Sequence, residues 1–202
     1  MKRKREPRAE IPEDILSQCV EYYPRFFDAT ESQEYFVNLL KEISFQQGYV
    51  KMFGKEMKEP RETFFASTRL DKVYHYSGKI NIPKPMTETL MKIMRRTEEL
   101  LGMKLESVLV NHYRTGKDSV DWHSDDESDI DRTKIVSVSF GQTRTFRMRL
   151  KNEHNKTRNY ELKAGDVLYM KNRCQDLLEH QVPKTAKKDV GARINLTFRC
   201  MK

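Results

Sequence analysis

The chain has 202 residues, a formal net charge of +8 and three cysteines. That length suits one domain with its own core, and 37% hydrophobic against 34% charged residues describes a soluble globular chain, not a disordered or membrane-spanning one. Cys19, Cys174 and Cys200 form neither a Cys-x-x-Cys pair nor an even framework, which argues against a cysteine zinc site and for a reducing compartment, while the surplus of Lys and Arg favours a polyanionic partner.

Lys2-Arg3-Lys4-Arg5, with Arg8 nearby, opens a basic disordered tail expected over residues 1–10. Such a run reads as a nuclear address, a nucleic-acid contact or a plain solvated terminus. Residues 12–27 hold scattered apolar side chains, with a short strand expected near 15–23. Thr30-Glu31-Ser32-Gln33 has the capping-box form. Tyr35, Phe36, Leu39, Leu40 and Ile43 then follow at helical spacing to a stop near Ser44. Residues 49–54 read as a hairpin arm between the turn signals Gly48 and Gly54. Phe53 is either a core ring or an exposed wedge that holds a base stack open. Tyr74 and Tyr76 share a face in a strand, and His75 points away as a structural residue.

Pro85-Met86-Thr87 starts a second helix. Its buried stripe is Met86, Leu90, Ile93, Met94 and Leu101, and Gly102 stops it. From Leu105 the pattern turns to strands. Leu109, Asn111 and Tyr113 share one face. Residues 135–140 and 145–149 read as a hairpin around Gly141. Residues 153–159 are expected as a polar loop with His154 exposed, and Ala164-Gly165-Asp166 as a turn between strands. Lys184, Lys187 and Lys188 form a basic loop, either a phosphate contact or soluble surface.

Two stretches carry chemistry. In extended backbone His123 and Asp125 point the same way, so both reach one metal ion. His180 lies far downstream as a third ligand. Two His and one carboxylate form the facial triad of non-haem Fe(II) oxygenases, which leaves positions open for substrate and dioxygen. His-x-Asp alone also fits a polar loop; the acidic run 118–131 around it lacks the ligand alternation and central glycine of an EF-hand. The second stretch is the last strand. Ile194, Leu196 and Phe198 alternate with Arg193, Asn195, Thr197 and Arg199. Its polar face is either wet or turned into a barrel. Turned inward, two arginines need partners, and a small dicarboxylate meets both guanidinium forks.

Asn111-His112-Tyr113, His123-Ser124-Asp125, His180 and the Arg-x-Asn-x-Thr-x-Arg strand, in this order and spacing, resemble the AlkB family of Fe(II)- and 2-oxoglutarate-dependent dioxygenases. The resemblance runs from about Arg61 to Arg199. It implies an α+β fold with a double-stranded β-helix (jelly-roll) core at 105–202. Residues 11–104 would supply N-terminal helices and a nucleotide-recognition lid, with 11–202 as one folded unit. It implies Fe(2+) on His123, Asp125 and His180. 2-Oxoglutarate would be held by Arg193 and Arg199 within a shell of Asn111, Tyr113, Asn195 and Thr197, with dioxygen as the other cosubstrate.

The activity it implies is oxidative demethylation of 1-methyladenine and 3-methylcytosine in DNA: the methyl group is hydroxylated and leaves as formaldehyde. Residues 117–127 are similar to the family's single-strand-preferring branch, whereas 50–55 and Pro60-Arg61 are similar to the double-strand-preferring one. The resemblance places Phe53, Arg61, Tyr74, Tyr76 and Ser77 at the base pocket. Asp126 and Glu127 join them on chemical grounds, since methylation at adenine N1 or cytosine N3 makes the base cationic and a carboxylate attracts that charge. A nuclear, monomeric enzyme is expected, with no membrane association. RNA demethylation by the same chemistry, or a non-catalytic nucleic-acid-binding module, are the alternatives.

Overall fold

The computed structural model describes residues 9–52, 55–76 and 79–202. Fifteen strands and four helices are named in it. A short strand β1 (Ala9–Glu10) leads to α1 (Glu13–Cys19), β2 (Val20–Tyr23) and α2 (Ala29–Glu42). Two small hairpins follow, β3 (Tyr49–Met52) with β4 (Lys55–Lys58), and β6 (Tyr74–Tyr76) with β7 (Lys79–Asn81), separated by β5 (Glu62–Ser67). After α3 (Glu88–Leu101) come β8 (Ser107–Tyr113), β9 (Val120–His123), β10 (Lys134–Gly141), β11 (Arg144–Leu150), β12 (Lys156–Leu162) and β13 (Val167–Lys171). The single turn α4 (Cys174–Leu177), β14 (Leu178–Val182) and β15 (Arg193–Arg199) complete the chain.

Two sheets face each other. The larger has the order β2-β13-β10-β15-β8-β5 and the smaller β1-β12-β11-β14-β9. The segment 135–149 therefore does not form the expected hairpin. β10 pairs with β13 and β15, whereas β11 pairs with β12 and β14, so successive strands cross from one sheet to the other. The physical reason is in the burial. β10 is buried along Ile135 to Phe140, as a central strand must be, while β11 alternates between buried and half-buried. This crossing is the jelly-roll pattern.

Other expectations shift locally. Residues 13–19 are helical and only 20–23 extended, with Leu16 and Cys19 on the buried side of α1. α2 is capped two residues earlier than expected, by Asp28 in place of Thr30. Asp28 accepts from the Glu31 amide at 2.9 Å, and the Glu31 carboxylate accepts from the Asp28 amide at 3.2 Å. The expected loop 153–159 contains the start of β12 at Lys156, while His154 is exposed. Ala9 and Glu10, assigned to the tail, pair in parallel with Lys156 and Thr157. β2 and β5, from the N-terminal half, complete the larger sheet, so the jelly roll is not confined to residues after 104. α3 runs as expected from Thr87, whose hydroxyl accepts from the Leu90 amide, to Gly102 in the left-handed region at φ 63°.

The two faces of the larger sheet bury different things. Val108, Val110, Val136, Val138, Ile194, Leu196 and Phe198 pack with Leu39 of α2 and Leu90, Ile93 and Met94 of α3. The opposite face meets the smaller sheet, where Leu109, Tyr113, Phe146, Met148, Met170 and Leu178 form a second core. β15 is buried on both faces. With Ile194, Leu196 and Phe198 committed to the helices, the polar residues of β15 are turned between the sheets.

Gly165 closes the turn between β12 and β13 at φ 85°, and a Cβ there would stand 2.0 Å from the carbonyl oxygen of Phe27. Its own carbonyl accepts from the Phe27 amide at 3.1 Å. Gly165→Ala should therefore destabilise the fold by roughly 3 kcal/mol, read as a lower denaturant midpoint.

Candidate metal centre and its pocket

His123 ends β9, Asp125 follows two residues later, and His180 lies on the neighbouring strand β14, where it is paired across the ladder with His123. One ligand atom from each falls within 4.8 Å of the other two. The rings of His123 and His180 are 4.2 Å apart at their centroids, and Phe146 stacks on His180 at 5.1 Å. His123 Nδ1 lies 2.7 Å from the Asp121 carbonyl, so it is the protonated nitrogen and Nε2 carries the lone pair. Burial, reinforced by His123, pushes the His180 imidazole down to about 3; burial also lowers His123. Both rings are thus neutral, the form that binds a metal. Burial alone would raise Asp125, but the charge and hydrogen bond of Arg199 outweigh it and hold the carboxyl well below the usual range.

Sequence reasoning missed what fixes this centre. The Asp125 amide donates to Gln175 Oε1 at 2.9 Å, and Ser124 Oγ donates to the Leu178 carbonyl at 3.0 Å. Both partners lie at or beside α4, about 50 residues away, and no local pattern marks Gln175. Arg199 Nη2 donates to Asp125 Oδ1 at 2.6 Å from the other sheet. The second oxygen, Oδ2, has no hydrogen-bond partner among the described residues and stands 3.5 Å from His180 Nε2. A buried carboxylate oxygen left open beside two neutral imidazoles fits a divalent metal ion.

Opposite, the larger sheet supplies a polar wall. Cross-strand pairing sets Asn195 against Asn111, and Arg193 against Tyr113. Asn195 Nδ2 donates to Ser137 Oγ at 2.7 Å, and Thr197 Oγ1 to Asn195 Oδ1 at 3.1 Å. Arg193 Nη2 donates to Ser139 Oγ at 2.9 Å. Ser137 and Ser139, two apart in an otherwise apolar run, are the legible signal for this wall, and the sequence reading passed over them. Burial lowers the Arg193 guanidinium to about 10, and its Nε and Nη1 have no hydrogen-bond partner among the described residues. Two unmatched donors on a buried cation fit a carboxylate. Arg193 and Arg199 stand at opposite ends of β15, so they do not grip one carboxylate together: Arg199 is already engaged by Asp125, with its Nε and Nη1 left over. Asn111, Tyr113, Asn195, Thr197, Arg199 and the three ligand residues line one small pocket between the sheets.

The residues expected at the base pocket are distributed differently. Arg61 is buried and donates through Nε to Asn111 Oδ1 at 2.7 Å, so it orients the Asn111 amide. Tyr74 has no exposed surface. Phe65 lies 5.3 Å from its ring and the Arg199 guanidinium 4.9 Å, which leaves no open face for a base to stack on. Of Tyr76 only the backbone is described, and Phe53 and Ser77 lie outside the described residues. Asp126 points out to solvent 3.8 Å from Lys151. Glu127 is the carboxyl turned inward: burial, then the Asp125 carboxylate, push it up to about 7.

Jelly rolls that carry such a centre between their sheets make up a class, the non-haem iron oxygenases dependent on 2-oxoglutarate, and the 2OG-Fe(II) oxygenase superfamily profile matches residues 19–199. Within that class the chain belongs to the AlkB family. It is 34% identical over 198 residues to human alpha-ketoglutarate-dependent dioxygenase alkB homolog 3, covering 93% of this chain and 67% of that protein. It is 32% identical over 189 residues to human DNA oxidative demethylase ALKBH2, covering 88% and 71%. Uncharacterized protein R406 of Acanthamoeba polyphaga mimivirus is 31% identical over 179 residues, covering 88% and 93%. The solved structure of OsALKBH1 superposes with a TM-score of 0.63 at 18% identity, covering 92% of this chain and 99% of that one, and supports the fold. The chain is an Fe(II)/2-oxoglutarate-dependent dioxygenase, with iron as cofactor and 2-oxoglutarate and dioxygen as cosubstrates. That sets aside the non-catalytic module.

Arg193→Gln should raise the 2-oxoglutarate KM about 10- to 100-fold, as loss of a buried charge-assisted contact does. Iron binding, followed through the metal-to-cosubstrate absorption at saturating 2-oxoglutarate, should persist, because Arg193 touches none of the three ligand residues.

Proposed function

We propose that the chain demethylates N-alkylated bases in DNA, 1-methyladenine and 3-methylcytosine foremost, acting as a monomer in the nucleus. The observation that carries the substrate is Glu127, two residues from Asp125, whose Oε2 is buried with no hydrogen-bond partner among the described residues, in a protein whose net charge is +8. A basic exterior suits phosphates; an interior carboxylate suits a base made cationic by alkylation. The similarity to proteins named for oxidative DNA demethylation supports the same reading. The basic run Lys2-Arg3-Lys4-Arg5 supports the nuclear address.

In this reading His123, Asp125 and His180 hold the iron, which, when bound, supplies oxidation of the N-alkyl carbon by dioxygen at the expense of 2-oxoglutarate. The chain's own groups do the rest. Asp121 fixes the His123 tautomer through its carbonyl. Arg199 orients Asp125 and keeps it ionised, and its Nε and Nη1, without hydrogen-bond partners among the described residues, would be free to donate to the cosubstrate. Arg193 anchors the distal carboxylate, while Asn111, Tyr113, Asn195 and Thr197 shape the polar wall, with Asn111 oriented by Arg61. Glu127 accepts from the exocyclic amine of the flipped base and offsets its charge. Tyr74 backs Arg199 and does not stack on the base. Phe53 remains the proposed wedge at the gap in the stack.

Formaldehyde release from matched 1-methyladenine oligonucleotides, as single-stranded DNA, duplex DNA and RNA, tests the assignment. DNA should be turned over; RNA turnover without any on DNA would overturn it in favour of an RNA demethylase. Glu127→Gln should lower kcat/KM for 1-methyladenine about 10- to 100-fold, the value of a hydrogen bond to a charged group. A neutral N-alkylated base such as 3-methylthymine should be affected far less.

A further inference from the structure

Strand β6 carries Tyr74 to the centre, yet its ladder partner is β7, in a two-stranded sheet of its own. Such a hairpin is marginal without something to hold it. The residue after Tyr74 supplies a hold. The backbone N–H of His75 donates to Asp129 Oδ2 at 2.8 Å, and its ring Nδ1 lies 2.7 Å from the same oxygen. Ser128 Oγ meets the other oxygen at 3.4 Å.

Asp129 itself stands on fixed ground. Its carbonyl accepts from the Lys202 amide at 2.8 Å, and the Asp131 amide donates to the Cys200 carbonyl at 2.9 Å. Between them Ile130 is fully buried and bridges to Met201. The loop that bears Glu127 is thereby stitched to the end of β15, two residues past Arg199.

We propose that His75 and Asp129 form a clasp that sets β6 against the 126–131 loop. The pair would hold Tyr74 and Glu127 in register for the nucleic-acid substrate, which makes both positioning residues for the reaction; this rests on the demethylase reading above. The pair is surface-lying, with side chains 54% and 25% exposed, and exposed pairs add little to global stability. The local effect is larger for a reason of geometry. Two donors converge on one oxygen, one of them a backbone amide, and the acceptor is anchored in the core while the donor strand is not. Tyr74, one residue away, is fully buried with its ring 4.9 Å from the Arg199 guanidinium, so it stays seated while the rest of β6 depends on the clasp.

The test compares the full chain with its His75→Ala, His75→Asn and Asp129→Ala variants, each loaded with Fe(II) and 2-oxoglutarate. Hydrogen exchange of the 73–82 peptide reads the clasp directly. The KM for a 1-methyladenine oligonucleotide reads its use. Asp129→Ala removes the acceptor of both contacts and should raise exchange and increase that KM about tenfold, whereas His75→Ala keeps the amide contact and should cost about threefold. His75→Asn places an amide N–H near the ring nitrogen and should restore both readouts. The KM for 2-oxoglutarate and the Tm should not move. Unchanged exchange in Asp129→Ala, equal impairment of His75→Ala and His75→Asn, or a parallel rise in both KM values would overturn the clasp. A wild-type chain that releases no formaldehyde from the oligonucleotide would instead end the demethylase reading, with exchange still deciding the clasp.

Discussion

The buried pair between Arg199 and Asp125 joins the two sheets at the point where the chemistry sits. Arg199 ends a central strand of the larger sheet, and Asp125 follows an edge strand of the smaller one. Both side chains are almost fully inside, so each charge depends on the other; breaking such a pair costs about 3–5 kcal/mol. Burial works against the Arg199 charge, but Tyr74, Asp125 and Glu127 around it raise the guanidinium above its ordinary value. The same contact keeps the carboxylate ionised and aims its free oxygen at the two imidazoles. Structure and ligand geometry are thus secured by a single hydrogen-bonded pair.

The space between the sheets is not an ordinary apolar core. One half is packed by Leu109, Met148, Met170 and Leu178, and the other holds Asn111, Asn195, Thr197, Arg193 and Arg199. Several of these polar groups satisfy one another, as Thr197 does Asn195 and Arg61 does Asn111. The unmatched atoms are concentrated on Arg193, Arg199 and Asp125. Unsatisfied buried groups are expensive and rare, and those on Asp125 and Arg199 lie in the pocket with the two imidazoles, where a metal ion fits.

Charge is arranged in layers. The chain is basic as a whole, yet residues 118–131, which carry His123 and Asp125, are acidic. Within that run the carboxylates other than Asp121 divide several tasks. Asp118 binds Arg114, Asp125 faces the imidazoles, Asp126 meets Lys151 at the surface, Glu127 turns inward, and Asp129 and Asp131 tie the loop to its neighbours. Position in the fold, not residue type, separates a ligand from a surface ion pair.

What the sequence determined by itself was whatever depends on local period and composition. The alternation of β15, the stripe and caps of α3, the inward pairing of His123 with Asp125, and the residue types of the triad were all legible, because they follow from backbone geometry within a few residues. Tertiary structure alone decided which sheet each strand joins, since a turn at Gly141 looks the same whether the next strand pairs back or crosses over. It also decided that Tyr74 is covered, that Asp126 faces water while Glu127 does not, and that Gln175 and Arg199 hold Asp125. Those outcomes depend on contacts between residues far apart in the chain, such as Asp126 with Lys151, Asp125 with Gln175 and Tyr74 with Arg199, and no periodicity in a chain encodes what a distant strand will bring.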